Sequence, residues 1–446
     1  MSKSQPLWIP SEDRIRNSNL SKYYDFLRKD YKLSFKDYNE LHKWSVSDIE
    51  TFWESIWKFS SILHSKTYNK ILDKRIMPGA IWFEGARLNF AENLLRYNDD
   101  HIALISSRED EPDVTLTYTE LNGLVAACSS SLKKLGVKTG DRVAGFVTNI
   151  PESIIAMLAT TSLGAVWTSC SPDFGTQGVL DRFGQVKPKV LFAIEEYQYN
   201  GKLIDCREKV EKIVNQIPEI QKVIWIPHFQ ELKQFTSIDN TQQINQDKYL
   251  KFSDLLENTS NHISFEQLPF DHPVYIMYSS GTTGLPKCMV HGAGGTLLQH
   301  YKEHVLHTDV KRDDIITYYT TCGWMMWNWL VSSLQVGATI FLYDGNPVYP
   351  DNDVLWKKVD QHKISVFGTS PKFLSIFNKT NFAPKKKYNL SSLRAILSTG
   401  SPLPEETFHW VYEKCKIRLA AFIYFRRNRY CFMFYAWQSN TCCISW

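Results

Sequence analysis

The sequence predicts an α/β fold, a largely parallel sheet with helices on its faces. From residue 116 onward, short apolar runs of strand length alternate with segments of helical apolar period. The stretch from Arg142 to Ser171 reads as a complete strand–helix–strand unit, a connection that favours parallel pairing. The chain has 446 residues, 43% of them hydrophobic, which is enough for a sizeable core and more than one domain.

The first eighty residues read as a helical, tryptophan-rich region set before the main body. Ser47 and Glu50 have the spacing of a capping box, and Ile49, Phe52, Trp53, Ile56 and Trp57 follow at helical spacing. That stripe should dock on a larger body by ordinary core packing.

In the strand–helix–strand unit, "RVAGFV" (Arg142 to Val147) is the first strand. Asn149 is placed to cap the next helix, Pro151 falls in its first turn, and "ESIIAMLATTSL" carries the helical period. Gly164 ends that helix and "AVWTSCS" returns as a strand. Further strands are expected at Val190 to Ile194, Lys222 to Ile226, Ala338 to Tyr343, Ser365 to Thr369 and Ala395 to Thr399. The polar, Gln- and Asn-rich segment from Pro227 to Pro273 reads as a surface excursion with one helix near Phe252 to Leu256.

Several function classes lose support. A net charge of +4 over this length makes no case for nucleic acid. No uninterrupted run of 18 apolar residues suggests a membrane span. The first residues carry no apolar core of a secretory signal. The nine cysteines contain no C-x-x-C pair and no metal-ligand spacing, which fits reduced thiols and a cytosolic location.

The chemistry is concentrated in "YIMYSSGTTGLPKCMVHGAGG", from Tyr275 to Gly295. "VYIMY" reads as a buried strand, and the loop from Ser279 to Pro286 follows it. Phosphate oxygens need convergent donors and positive charge. Gly281 and Gly284 let backbone N–H groups turn inward, Ser279, Ser280, Thr282 and Thr283 add hydroxyls, and Lys287 adds a point charge. The spacing is not that of the nucleotide-hydrolase P-loop. A generic loop of this composition would be a polar turn, but the whole pattern S-S-G-T-T-G-x-P-K behind an apolar strand is far more specific.

That pattern resembles the phosphate-loop signature of the adenylate-forming acyl-CoA synthetases. "WFEGARLNFAENLL" (Trp82 to Leu95), "IPESIIAMLATTSLGAVWTSCSPDFG" (Ile150 to Gly175), "TTCGWMMWNW" (Thr320 to Trp329) and "LSTGSPLPEETFHWVYEK" (Leu397 to Lys414) look like the acetoacetyl-CoA synthetase branch. The resemblance runs from near Trp8 to about Lys414 and implies the stacked α/β sheets of that family's large domain. It implies a helical cap over 1–80 and the large domain over 81–416.

By the same resemblance, the substrates are a carboxylic acid such as acetoacetate, ATP with Mg²⁺, and coenzyme A. Ser279, Ser280, Gly281, Thr282, Thr283, Gly284 and Lys287 would hold the β- and γ-phosphates, with Thr283 and Lys287 closest to the chemistry. Thr399, Gly400, Ser401 and Pro402 would lie beside the adenine and acyl group. Trp324, Met325 and Met326 would wall the acid pocket, although core packing explains those three equally well. Asp173 to Gly175 would approach coenzyme A, or form a simple turn. Acetate or propionate is the alternative acid, and a non-catalytic fragment the alternative function.

The sequence departs from the family after Lys414. The Gly-Thr-Asp element, the ribose-binding aspartate, the hinge and the small lysine-bearing C-terminal domain are not found, so the large domain reads as incomplete and the chain as inactive alone. Instead the segment 417–446 is aromatic-rich; its last 29 residues hold nine aromatics, three cysteines and four arginines, with no Asp, Glu, Lys, Gly or Pro. Shifting the frame by one base lets "FRRNRYCFMF" be read as S-G-G-T-D-I-V-S-C, the family's next element. Met433 has one codon, and followed by Phe434 it yields the Cys of that string. The segment is therefore expected to be out of frame, the alternatives being a genuine aromatic-rich tail packed on the core or an interfacial membrane segment, and the genomic bases from the Cys415 codon onward test it.

Overall fold

The computed structural model describes residues 6–109, 111–228, 248–257, 262–279 and 284–416, with the backbone of Ala420–Tyr424 and Cys443–Ile444. The shifted-frame string begins at Phe425 and lies outside the described residues.

Two seven-stranded sheets organise the chain. The first runs, edge to edge, Tyr249–Lys251, Lys222–Ile226, Val190–Ile194, Arg142–Phe146, Val166–Cys170, Pro273–Ser279 and Lys287–Gly292. All its neighbours pair in parallel except the last two, which are antiparallel. The second runs Ala420–Tyr424, Ala395–Thr399, Val366–Thr369, Ile315–Tyr318, Thr339–Asp344, Ile102–Arg108 and Val114–Thr117. Only its final pair is antiparallel. The expected strands all form. Tyr249–Lys251, beside the expected helix Phe252–Leu256, extends the first sheet where the sequence reading placed only a surface excursion.

The helix Pro151–Ser162 is apolar around most of its circumference, and all twelve of its residues are buried. Pro151 does sit in its first turn, but Asn149 does not cap it; Ile150 holds the cap position without a side-chain bond. The Asn149 side chain is taken instead by two other partners. Its Oδ1 accepts from Trp327 Nε1 at 3.0 Å, and its amide donates to Tyr343 O at 3.4 Å. The other end of the helix is closed by Asn89. That amide donates to the carbonyls of Thr161 (3.2 Å), Ser162 (3.0 Å) and Glu266 (2.9 Å). Its Oδ1 meanwhile caps the helix Phe90–Leu94 by accepting from Glu92 N at 3.1 Å. One side chain thereby satisfies groups on three segments that would otherwise be orphaned in the core.

At the start of the chain the helix Ile49–Phe59 buries Ile56 and Trp57, as its stripe requires. Trp57 stacks on Phe83 with ring centroids 4.9 Å apart, and Phe83 lies 4.8 Å from Phe270. The expected capping box is not formed. Ser47 belongs to the preceding helix Tyr38–Ser47, where its hydroxyl donates to Trp44 O. Asp48 caps instead, accepting from Thr51 N at 3.2 Å. A carboxylate also suits the positive end of the helix better than a hydroxyl.

Candidate active site

Parallel strands deliver their carboxyl ends to one edge of a sheet, where ligands bind in open α/β folds. Here the carboxyl edges of the two sheets are bonded to each other. Thr148, two residues past Arg142–Phe146, donates through Oγ1 to Asp344 Oδ2 at 2.8 Å, at the end of Thr339–Asp344. Ser169 Oγ donates to Cys322 O at 2.7 Å, and Cys322 Sγ donates to Thr148 O at 3.0 Å. A cavity of about 200 Å³ opens between these ends, bordered by Asp173, Tyr197, Tyr199, Tyr319, Thr321 and Asp344. Burial pushes the Asp344 carboxyl up to about 6, against the pull of Arg108 and the Thr148 hydroxyl.

The first sheet presents the glycine-rich loop. The strand Pro273–Ser279 ends on Ser279, and the strand Lys287–Gly292 begins on Lys287 directly opposite it in the antiparallel register. The loop is thus the connection of a β-hairpin whose two ends carry a hydroxyl and an ammonium. Gly284 has φ +94°, a left-handed conformation that favours glycine, and both Gly284 and Lys287 are exposed. Ser280, Gly281, Thr282 and Thr283 lie outside the described residues. Tyr278, next to Ser279, is fixed by Thr168, whose Oγ1 donates to its hydroxyl at 2.8 Å. Gln185, on the helix Thr176–Val186, donates to Pro286 O at 2.9 Å and so ties that helix to the loop.

The second sheet presents the other sequence-predicted groups. Trp324 precedes the helix Met325–Val331 as its cap residue and is 46% exposed, whereas Met325 and Met326 are buried. The three are therefore not one wall: Trp324 faces solvent and the methionines face inward. Thr399 closes the strand Ala395–Thr399, and Gly400 turns the chain with φ +105°. Ser401 and Pro402 are exposed just beyond it. The structure brings Ser279 and Lys287 together and sets the 324–326 and 399–402 segments at the carboxyl ends of two strands separated by Val366–Thr369.

The motif reading missed Thr148, Ser169, Cys322 and Asp344, which join the two edges. Their signal is position, since each lies at or just beyond the end of a parallel strand, and residue type alone does not mark them. Among the described residues, no group of three or more His, Cys, Asp or Glu side chains could hold a metal ion. The described residues thus offer no protein cage for Mg²⁺.

A family profile described as AMP-binding enzyme matches residues 90–423, three quarters of the sequence. This chain belongs to the AMP-binding enzyme family. A second profile, described as the acetyl-coenzyme A synthetase N-terminus, matches residues 38–94. The AMP-binding match enters the segment that starts at 417, where the backbone of Ala420–Tyr424 continues the second sheet beside Ala395–Thr399. The chain is 44% identical over 422 residues to an acetoacetyl-CoA synthetase of Gallus gallus, covering 93% of this chain and 62% of that protein. It is 43% identical over 418 residues to the acetoacetyl-CoA synthetase of Danio rerio, with the same coverage. The solved acetoacetyl-CoA synthetase from Streptomyces lividans superimposes with a TM-score of 0.91 at 37% identity, over 99% of this chain and 67% of that one. The chain spans about three fifths of the length of the curated relatives it matches.

Proposed function

We propose that the chain is the nucleotide- and acid-binding part of an ATP-dependent ligase that joins acetoacetate to coenzyme A through an acyl-adenylate. The observation that carries this is the S-S-G-T-T-G-x-P-K loop on a hairpin that sets Ser279 opposite Lys287 at the carboxyl edge of a parallel sheet. The likeness to acetoacetyl-CoA synthetases along 93% of the chain supports the choice of acid.

In the first step a carboxylate oxygen of the acid attacks the α-phosphorus, the bond to the bridging oxygen breaks, and pyrophosphate leaves. The negative charge that develops on the leaving group needs donors already in place. The loop hydroxyls and N–H groups of Ser279 to Gly284, with the Lys287 ammonium, supply them, and Thr283 and Lys287 lie nearest the reacting phosphates. Thr399 to Pro402 face the adenine and the acyl group. Met325 and Met326 form the inner wall of the acid pocket, and Trp324 its rim. In the second step a thiol displaces AMP from the acyl carbon, and the cavity beside Asp173 is the approach for coenzyme A. Magnesium, arriving with the nucleotide, would neutralise phosphate charge.

The test is acid-dependent release of pyrophosphate from ATP by the full-length protein, with acetoacetate, acetate and butyrate compared. Acetoacetate should be turned over at least tenfold more efficiently than the others. Equal turnover of all three would remove the acid assignment, and no acid-dependent release would remove the ligase reading. Acetate is the second reading, favoured by the 38–94 match.

A further inference from the structure

We infer that Glu109 is a positioning residue for coenzyme A, its buried carboxylate holding two walls of the cavity between the sheets at a fixed separation. This rests on reading that cavity as the approach for coenzyme A. Glu109 follows the strand Ile102–Arg108 of the second sheet and is 2% exposed. Its Oε1 accepts from Asn200 N at 2.9 Å and from Asn346 N at 2.6 Å, and its Oε2 accepts from Gly201 N at 2.8 Å. A carboxylate is costly to bury unless its oxygens are bonded. Here the donors are backbone N–H groups of two segments, 91 and 237 positions away for the Oε1 bonds.

Both segments border the cavity. Asn200 and Gly201, with φ +57° and +71°, are the two-residue turn of a hairpin whose strands are Glu196–Tyr199 and Lys202–Asp205. Tyr197 and Tyr199, on its first strand, line the cavity. Asn346 follows Gly345, which lines the cavity just beyond the end of Thr339–Asp344. A two-stranded hairpin is marginal by itself, and this one is largely exposed, with Tyr199 at 40% and Leu203 at 59%. Its tip therefore takes its place from what it is bonded to. Glu109 supplies two of those bonds, and Asn346 Nδ2 adds a third, to Asn200 Oδ1 at 3.3 Å. On the opposite wall, Tyr319 OH donates to Gly345 O at 3.0 Å and Tyr343 OH to Asn346 O at 3.3 Å. A shift of Asn346 would thus disturb two more lining rings. Glu109 is not itself among the lining residues, so it acts through Tyr199 and Gly345. The hairpin follows Val190–Ile194 of the first sheet, which makes this a second crossing between the sheets beside the Thr148–Asp344 bond.

Isothermal titration of coenzyme A into the full chain tests this, with inorganic pyrophosphate titrated into the same proteins as a control. Melting curves and amide exchange across 196–205 accompany each titration. Glu109→Gln keeps the shape of the side chain but replaces one acceptor oxygen with an amide nitrogen that cannot accept. It should weaken coenzyme A binding by about tenfold through lost preorganisation and speed exchange at the hairpin tip, with pyrophosphate affinity unchanged. Glu109→Ala, which removes all three bonds, should lose more. Unchanged coenzyme A affinity in a folded Glu109→Gln protein overturns the inference. So do equal losses of coenzyme A and pyrophosphate affinity with a lower melting temperature, since these mark a packing role only. A loss of coenzyme A affinity with hairpin exchange unchanged also overturns it. If the wild-type chain itself binds no coenzyme A, the reading of the cavity falls and this inference falls with it.

Discussion

The docked helices at the start of the chain and the carboxyl edges of the two sheets both join segments far apart in sequence, but by opposite means. Trp57, Phe83 and Phe270 meet as stacked and tilted rings, and nothing directional is needed to hold them. At the carboxyl edge, Thr148, Ser169, Cys322 and Asp344 are held by single hydrogen bonds with fixed partners. The first contact draws its stability from apolar area and tolerates small shifts. The second is weaker per group but fixes geometry, which is what the proposed site, with phosphates and a carboxylate to aim, would require.

Substitutions can separate the two. The largest effect is expected for Trp57→Ala, which leaves a cavity against Phe83 and should cost about 3–5 kcal/mol in urea unfolding. Pyrophosphate affinity of the folded fraction should not change; a parallel loss would show that the docked helices shape the site. Next is Lys287→Ala. Its side chain is exposed, so the melting temperature should hold while acid-dependent pyrophosphate release by the full-length protein falls by about 10²-fold. A fall in melting temperature with little loss of turnover would mark Lys287 as structural.

A smaller effect is expected at Asp344. Burial raises its pKa to about 6, so between roughly pH 4 and 6 the native chain binds a proton that the unfolded chain has released. Stability from this group is therefore present at acid pH and lost as pH rises through 6. Asp344→Asn should be more stable than wild type at pH 7 by about 1–2 kcal/mol, with the gain gone near pH 4. A pH-independent difference would refute this. Smallest is the cap: Asp48→Ala should cost about 1 kcal/mol and Ser47→Ala almost nothing. The reverse order would restore Ser47 as the cap.

The same contrast explains what could be read in advance. Periodicity marks apolar faces, so the stripe from Ile49 to Trp57 and strands such as Arg142–Phe146, Val190–Ile194 and Ala395–Thr399 were legible from side-chain type alone, whereas Tyr249–Lys251, Ile102–Arg108, Val114–Thr117 and Ile315–Tyr318 were not. The loop was legible because Ser279 and Lys287 sit within one contiguous motif. Which of two adjacent polar residues caps a helix was not, because Ser47 and Asp48 can both accept and the backbone path decides. Asn149 has the right chemistry for a cap, yet Trp327 and Tyr343, remote in sequence, claim its side chain. Thr148 and Asp344 are ordinary residues until topology sets them face to face, 196 positions apart.

That separation has a consequence for how the molecule comes into being. Closing so long a loop is entropically costly, but pairing Thr339–Asp344 with Ile102–Arg108 in the second sheet closes a longer one, and the Thr148 contact is expected to follow that pairing. The bond between Thr148 and Asp344 is expected to form once the strands that carry its two ends have paired within their sheets. A chain caught before that stage would hold the hairpin that pairs Ser279 with Lys287, since they pair locally, but would lack the joined edge beside it. Capture of pyrophosphate should therefore appear earlier in refolding than capture of the acid.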